Sequence, residues 1–243
     1  MLESSPCRFV PVFCDRFVLI FCPDFVAYFK VRRHKMSPDL PKSLGNREER
    51  VARIGLLEKP HVAPLTDFVR TLRAEMGPDY AIPYFDPLDG GVQASILYLL
   101  EAPGARAVQS GFISRNNPDE TAKNFFLLNQ DAGLPRTITV TWNIVPWYIG
   151  TGKKIRPAGT IDIMNGSQSL ERILALLSKL RIVVFIGAKA AKARTRVAAV
   201  RPDVYRMEAP HPSPLFVNHA SGNRGRILEV LREVAKRVNP RDA

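Results

Sequence analysis

Short apolar runs alternate with amphipathic stretches along most of this chain, and this alternation limits the fold more than any other feature. Leu65, Phe68, Leu72 and Met76 recur at the three- and four-residue steps of one helical face. The run IVVFI at 182–186 is apolar and mostly β-branched, which is typical of a buried strand. The pattern predicts helices over 63–76, 118–132, 169–180, 188–200 and 223–238, and strands over 92–100, 137–142, 182–186 and 204–207.

Strands that alternate with helices pair in parallel and are covered on both faces. The sequence therefore predicts an α/β fold, a three-layer α/β/α sandwich with a central parallel sheet of about four strands. Three unusual loops each follow a predicted strand directly: EAPG at 101–104, NIVPW at 143–147 and HPSP at 211–214. Ligands of such sheets bind beyond the carboxyl ends of the strands. We expect the three loops to meet at one edge of the sheet.

The charge of the chain indicates an anionic partner. Lys and Arg number 35 against 23 Asp and Glu, so the formal net charge is +12. Residues 181–243 hold 13 basic and 5 acidic residues, a net +8, which is two-thirds of the excess in the last quarter of the chain. This distribution favours nucleic-acid binding, and a basic protein without a polyanionic partner is the alternative.

All three cysteines, Cys7, Cys14 and Cys22, lie in the first tenth of the chain, and their spacing fits no usual zinc or iron-sulfur site. The rest of the chain contains no cysteine for a disulfide framework, which is typical of a reducing compartment. We therefore expect a cytoplasmic protein with no metal and no cofactor.

Residues 1–45 are expected to form a poorly ordered N-terminal extension, in front of one domain over 46–243. Before Met36 the chain is rich in Phe and Cys without a clean period, and an upstream start codon is one explanation for this composition. The longest uncharged run there, 17–23, is too short to span a bilayer or to serve as a secretory signal.

Three of these features resemble the uracil-DNA glycosylase superfamily. EAPG at 101–104 resembles the first motif of its iron-sulfur group, although the cluster cysteines are absent, and HPSPL at 211–215 is similar to the second motif of its conventional group. Asn143, directly after a strand, resembles the Asn with which both groups recognise uracil. The resemblance covers roughly residues 85–235, about the size of one domain.

The resemblance implies a DNA repair glycosylase. Such an enzyme flips uracil, or a related deaminated base, out of DNA and hydrolyses its N-glycosidic bond, leaving an abasic site. The implied partner is uracil-containing DNA, single- or double-stranded, and we expect a monomer that does not act at a membrane.

The resemblance also implies catalytic residues. Asn143 would accept a hydrogen bond from uracil N3–H and donate one to O4, a pattern that cytosine reverses. His211 would donate to uracil O2, where negative charge grows as the base departs. The conventional group has an Asp that activates water where this chain has Ala102. We therefore expect Glu101, Asn116, Asn117 or Asp119 to hold the water.

Binding residues follow from the same resemblance. Ala102, Pro103 and Gly104 would line the base pocket, and Gly104 replaces a Tyr that excludes the C5 methyl of thymine in the conventional group. Phe112 would stack on the flipped base, with a core Phe as the alternative.

The last part of the chain would contact DNA. Ser213 would hold a phosphate and Leu215 would enter the vacated base stack. Arg224 and Arg226, in the SGNRGR stretch at 221–226, would clamp phosphates at the start of the last helix, with a solvated basic helix start as the alternative.

Two other functions compete with this one. A catalytically idle DNA-binding module of the same fold would have lost the activating carboxylate. A doubly wound nucleotide-binding enzyme is disfavoured because no GxGxxG or GxxxxGK[ST] motif follows the first core strand. A glycosylase for xanthine, hypoxanthine or 5-substituted uracils belongs to the favoured class.

Overall fold

The computed structural model describes residues 39–151 and 155–238, together with the backbone of three strands nearer the N-terminus. The chain divides into two compact units, Met1–Ser37 and Pro38–Ala243. The first unit contains an antiparallel sheet in the order β1-β2-β3, formed by β1 (Pro11–Cys14), β2 (Phe17–Cys22) and β3 (Phe25–Lys30). The rest of the predicted extension before residue 39 lies outside the described residues.

Residues 39–45, which the sequence assigned to the extension, belong to the second unit. Leu44 is fully buried, and its N–H donates to Asn116 O at 3.1 Å. The Asp39 carboxylate accepts hydrogen bonds from Asn116 and Arg136, both at 2.8 Å. The compact unit therefore begins earlier than the predicted boundary.

The second unit alternates strands and helices as the sequence predicts. Its described strands are β4 (Tyr84–Phe85), β5 (Ile96–Leu100), β6 (Phe112–Ile113), β7 (Thr139–Asn143), β8 (Ile182–Ile186) and β9 (Tyr205–Ala209). Its described α-helices are α1 (Arg47–Ile54), α2 (Ala63–Met76), α3 (Ala105–Ser110), α4 (Glu120–Asp131), α5 (Thr160–Leu176), α6 (Ala188–Ala191), α7 (Arg194–Val200), α8 (Pro214–Val217) and α9 (Asn223–Val238). Short 3-10 helices span Ser43–Gly45, Gly91–Gln93 and Arg136–Ile138.

The central sheet has four parallel strands in the order β7-β5-β8-β9. Leu100 pairs with Asn143 at the carboxyl ends of β5 and β7, and Ile186 pairs with Ala209 at those of β8 and β9. A separate pair, β4 and β6, is also parallel. The predicted parallel sheet of about four strands is confirmed.

Alternate residues of β5 enter two different hydrophobic clusters, as the two-residue period of a strand requires. Leu97 and Leu99 pack with residues of α2, α5 and α7, whereas Ile96 and Tyr98 pack with residues of α4 and α9. Buried apolar side chains thus join helices to both faces of the sheet, which confirms the three-layer α/β/α sandwich.

Several predicted bounds differ from the structure. The strand predicted over 92–100 begins at Ile96, and the helix predicted over 188–200 is two helices joined at Lys192 and Ala193. Helix α5 begins at Thr160, before the predicted start at Ser169. It crosses close to the chain after β7 at Gly166, where a Cβ would lie only 2.0 Å from Ile144 O.

The two tryptophans pack in the core, as the sequence indicates. The Trp142 ring stacks on Phe85 with centroids 4.0 Å apart, and Trp147 meets the Tyr80 ring edge-on at 5.5 Å. None of the helices among the described residues has the length and apolar character needed to cross a membrane.

Candidate active site

A cavity of about 490 Å³ lies at the carboxyl edge of the central sheet. In the sheet, β5 has β7 on one side and β8 on the other. The chain therefore passes from one side of β5 to the other between β7 and β8, and the strand order reverses at β5. Such a point leaves a crevice beyond the strand ends. Glu101, Asn143 and His211, which follow or end three different strands, all line the cavity. The structure therefore brings the three predicted catalytic side chains together.

Glu101 is held by the segment that covers one side of the cavity. Its Oε1 accepts a hydrogen bond from Ala158 N–H at 2.6 Å, and Lys189 Nζ donates to Ala158 O at 2.8 Å. The Glu101 carbonyl also accepts from Val145 N–H at 3.0 Å. These contacts join the end of β5, the loop after β7 and the segment before α5 into one wall of the cavity.

Asn143 presents an unpaired amide to the cavity. Its residue is only 2% exposed, and its Nδ2 has no hydrogen-bond partner among the described residues. An unpaired buried donor costs about 1–3 kcal/mol, so such a group usually marks a ligand or water position. The amide is therefore available to a hydrogen-bond acceptor in the cavity.

His211 stands against Gly187, the first residue after β8. A Cβ at position 187 would lie 3.2 Å from His211 Cβ, and φ of Gly187 is +88°, a conformation that favours glycine. Burial lowers the pKa of His211, although the negative charges of Glu101 and Asp119 raise it by smaller amounts. The ring is therefore neutral at neutral pH and can donate one hydrogen bond.

The four expected water-holding residues differ in their contacts. Asn116 lies outside the cavity lining and bonds with its amide to Asp39, Leu40 and two arginines. Asn117 lines the cavity, but its Oδ1 accepts from Ser110 at 2.6 Å and its Nδ2 donates to Phe112 O at 2.9 Å. The amides of both residues thus hold the loop after β6.

Two carboxylates remain in the cavity, those of Glu101 and Asp119. Asp119 caps α4 by accepting a hydrogen bond from Ala122 N–H at 2.9 Å. Burial raises the pKa of Asp119, which makes it a stronger proton acceptor than an exposed Asp.

The EAPG turn contributes to the wall of the cavity, since Ala102, Pro103 and Gly104 all line it. Gly104 precedes α3, and a Cβ built there would have no neighbour within 4 Å. A side chain at position 104 would therefore have open space beside the cavity.

Phe112 does not line the cavity. Its ring is 1% exposed and packs in a small core cluster with Leu44 and Leu57, the alternative that the sequence left open. Side chains alternate along a strand, so the next residue, Ile113, faces the cavity instead. The aromatic ring that lines the cavity is that of Phe125 on α4.

The HPSPL loop lies on helix α4 and ends in a short helix. Asn124 Nδ2 donates to Pro212 O at 3.0 Å, and Ser213 caps α8 by accepting from Phe216 N–H at 3.3 Å. Leu215, three residues after the cavity-lining Pro212, is 84% exposed, so its large apolar side chain projects into solvent.

The two arginines of the predicted clamp have unequal surroundings. Arg224 forms an ion pair with Asp131, whereas Arg226 is exposed and lies over the Phe216 ring at 5.8 Å. The charge of Arg224 is thus partly neutralised within the protein, and that of Arg226 is not paired with a carboxylate among the described residues.

The structure adds cavity residues that the sequence analysis missed, among them Ser114, Arg115, Thr141 and Arg156. Thr141 could have been found, because it lies two residues before Asn143 on β7 and shares its face. No local signal marks Arg115, whose place depends on the loop after β6. Within the described part of the chain, no group of His, Cys, Asp and Glu side chains is arranged to hold a metal ion.

Comparison with protein-family models identifies one family. The model of the Uracil DNA glycosylase superfamily matches residues 88–235. Among solved structures, wild-type Pedobacter heparinus SMUG2 is 13% identical with a TM-score of 0.48, covering 75% of this chain and 86% of that one. A Methanosarcina acetivorans protein assigned as a uracil DNA glycosylase is 14% identical with a TM-score of 0.40, covering 59% and 92%. A search of curated proteins found no match.

Proposed function

The chain belongs to the uracil DNA glycosylase superfamily, and from that premise we propose that it removes uracil, or a related deaminated base, from DNA as a monofunctional glycosylase. The observation that carries the proposal is the convergence of Glu101, Asn143 and His211 on one cavity at the carboxyl edge of the sheet. These side chains provide a carboxylate that can hold water, an amide with a free N–H that can bind a base, and a neutral imidazole that can stabilise the base as it leaves.

In the proposed reaction the bond between C1′ and the base nitrogen breaks, and its electron pair leaves with the base. Water adds to C1′ and gives up a proton, which balances the charge of the departing base and yields an abasic site and the free base. We assign the water to Glu101 or Asp119, because both carboxylates line the cavity and the amides of Asn116 and Asn117 are bonded elsewhere.

His211 stabilises the base as it leaves. A neutral imidazole that donates to O2 gains strength as negative charge grows there, so it lowers the barrier more than it tightens substrate binding. The lowered pKa of His211 supports this neutral role. Asn143 selects the base, since its free Nδ2 donates to O4 while its Oδ1 accepts from N3–H.

We further propose that DNA lies across the mouth of this cavity. Leu215 enters the gap that the flipped base leaves, Ser213 contacts a phosphate, and Arg226 with Arg224 contacts the backbone. The 84% exposure of Leu215 supports its part, because no packing within the described residues has to be broken for its side chain to enter the DNA.

The proposal is tested with duplex and single-stranded oligonucleotides that carry one uracil, hypoxanthine, xanthine or thymine. We expect alkali-labile abasic sites at uracil or another deaminated base with the wild type. The same assay on Glu101→Gln and Asp119→Asn identifies the residue that activates water. DNA binding without product from any substrate would overturn the enzyme and favour the idle binding module.

A further inference from the structure

Three of the residues that line the cavity carry a buried polar atom without a hydrogen-bond partner among the described residues. These atoms are Asn143 Nδ2, Thr141 Oγ1 and Arg115 Nε. Each of these residues is at most 5% exposed. Native proteins rarely leave such groups unpaired, so their clustering marks a place where a polar ligand binds.

Arg115 stands out among them because it carries a charge. Its one hydrogen bond among the described residues is from Nη2 to Thr139 Oγ1 at 2.5 Å, a neutral partner. It forms no ion pair within 4.0 Å in the described part of the chain, although its charge acts on the carboxyl of Asp89, 3% exposed.

Two neighbouring arginines, the buried Arg53 and the partly buried Arg136, are paired in a way that Arg115 is not. Arg53 binds Asp86 at 2.6 Å, and Arg136 binds Asp86 and Asp89, both at 2.8 Å, as well as the exposed Asp39. The two buried carboxylates are therefore occupied. Burying a charge without a partner costs several kcal/mol, so a buried cation at a cavity wall favours an anion in the cavity.

We propose that Arg115 contacts the flipped base and stabilises the negative charge that develops on it as it leaves. The inference rests on the proposed glycosylase activity and assigns a second group to its leaving-group step. His211 donates from a neutral ring, whereas Arg115 supplies the cavity's buried positive charge. The base departs with the electron pair of the C1′–N bond, and the guanidinium binds the resulting anion without transferring a proton.

The dependence of rate on the leaving group tests this role. Fluorine at C5 stabilises the uracil anion, so a 5-fluorouracil lesion needs less help from the protein than uracil does. In Arg115→Gln we expect single-turnover excision of uracil to fall about a hundredfold, as on loss of a transition-state donor. Because the excision rate of 5-fluorouracil should fall less, the ratio of its rate to that of uracil should rise about tenfold.

Two further variants separate charge from structure. Arg115→Lys keeps the charge and should hold the ratio of the 5-fluorouracil rate to the uracil rate near the wild-type value. It also replaces Arg115→Gln as the variant to be measured if that one does not fold. Arg106→Gln removes a charge from an exposed residue that lines the same cavity, and it should leave the ratio unchanged. Thermal unfolding of each variant checks that it is folded.

Each outcome decides a different claim. If wild type excises neither base, the proposed function fails. If the wild type is active and Arg115→Gln loses both activities by the same factor, or neither, the leaving-group role of Arg115 is overturned. A raised ratio in Arg115→Gln with a normal ratio in Arg115→Lys and Arg106→Gln supports it.

Discussion

Substituting Gly187 tests how closely the position of His211 controls catalysis. The new Cβ in Gly187→Ala would lie 3.2 Å from His211 Cβ, closer than the ordinary carbon contact of about 3.5–4.0 Å, and at an ordinary 3.6 Å from its Cδ2. Relief requires His211 to shift by a few tenths of an ångström. A displacement of about 1 Å can cost about a hundredfold in rate, so a shift of this size should cost up to about tenfold in single-turnover uracil excision.

The same substitution also strains the backbone, and Gly77 provides the matched control. Gly77 has φ of +87° against +88° for Gly187, both with extended ψ, but a Cβ there meets nothing within 4 Å. Each Ala variant should lose about 1–3 kcal/mol of unfolding free energy, measured by urea denaturation. Only Gly187→Ala should lose activity at a temperature where both are folded.

The comparison can fail in two ways. Equal rates for the two folded variants would show that the contact between position 187 and His211 does not position a catalytic group. A large loss of activity in Gly77→Ala would show that backbone strain alone accounts for the effect.

Three more predictions concern the base and the DNA backbone. Asn143→Asp should abolish uracil excision and can admit a weak activity on mismatched cytosine. The ratio of the two rates, measured as abasic sites at U and at C, should shift by about ten- to a hundredfold, whereas near-normal uracil activity would remove Asn143 from the site. Gly104→Tyr, whose ring has open space, should suppress excision of a 5-substituted uracil more than of uracil in a competition assay; equal losses would show that this position does not face C5. Affinity for duplex DNA should fall steeply as the salt concentration rises, and Arg226→Ala should reduce the slope of log affinity against log salt by about one unit. Arg224→Ala should reduce that slope less, because Asp131 already neutralises Arg224. Slopes in both variants equal to that of the wild type would count against the clamp.

Local periodicity predicted the layers of this fold well. Helices α2 and α9 and strand β8 have the predicted bounds, because the helices have a regular apolar period and the strand is a continuous apolar run. Helix α5, at Thr160–Leu176, begins and ends before the predicted 169–180, and Gly166 interrupts the apolar pattern of its first half. That glycine is required by a contact with Ile144 O, which is distant in sequence and leaves no local signal.

The sequence predicted the cavity residues that follow strand ends. It did not predict those whose place depends on the direction in which the side chain points. Glu101, Asn143 and His211 line the cavity because parallel strands end at one edge. Phe112 precedes the cavity-lining Ile113 but itself faces the core, because a shift of one residue on a strand exchanges the two faces. The direction of the Arg115 side chain depends on its hydrogen bond to Thr139, which is distant in sequence.

Analysis of the products from uracil-containing DNA in heavy-oxygen water tests the central claim most directly. The wild type should release free uracil and place one solvent oxygen at C1′ of each abasic site. His211→Ala should bind the same DNA with little change and release uracil about a hundredfold to a thousandfold more slowly in a single turnover. Intact uracil-DNA after incubation with folded, DNA-bound wild type, or undiminished release by His211→Ala, would contradict the account.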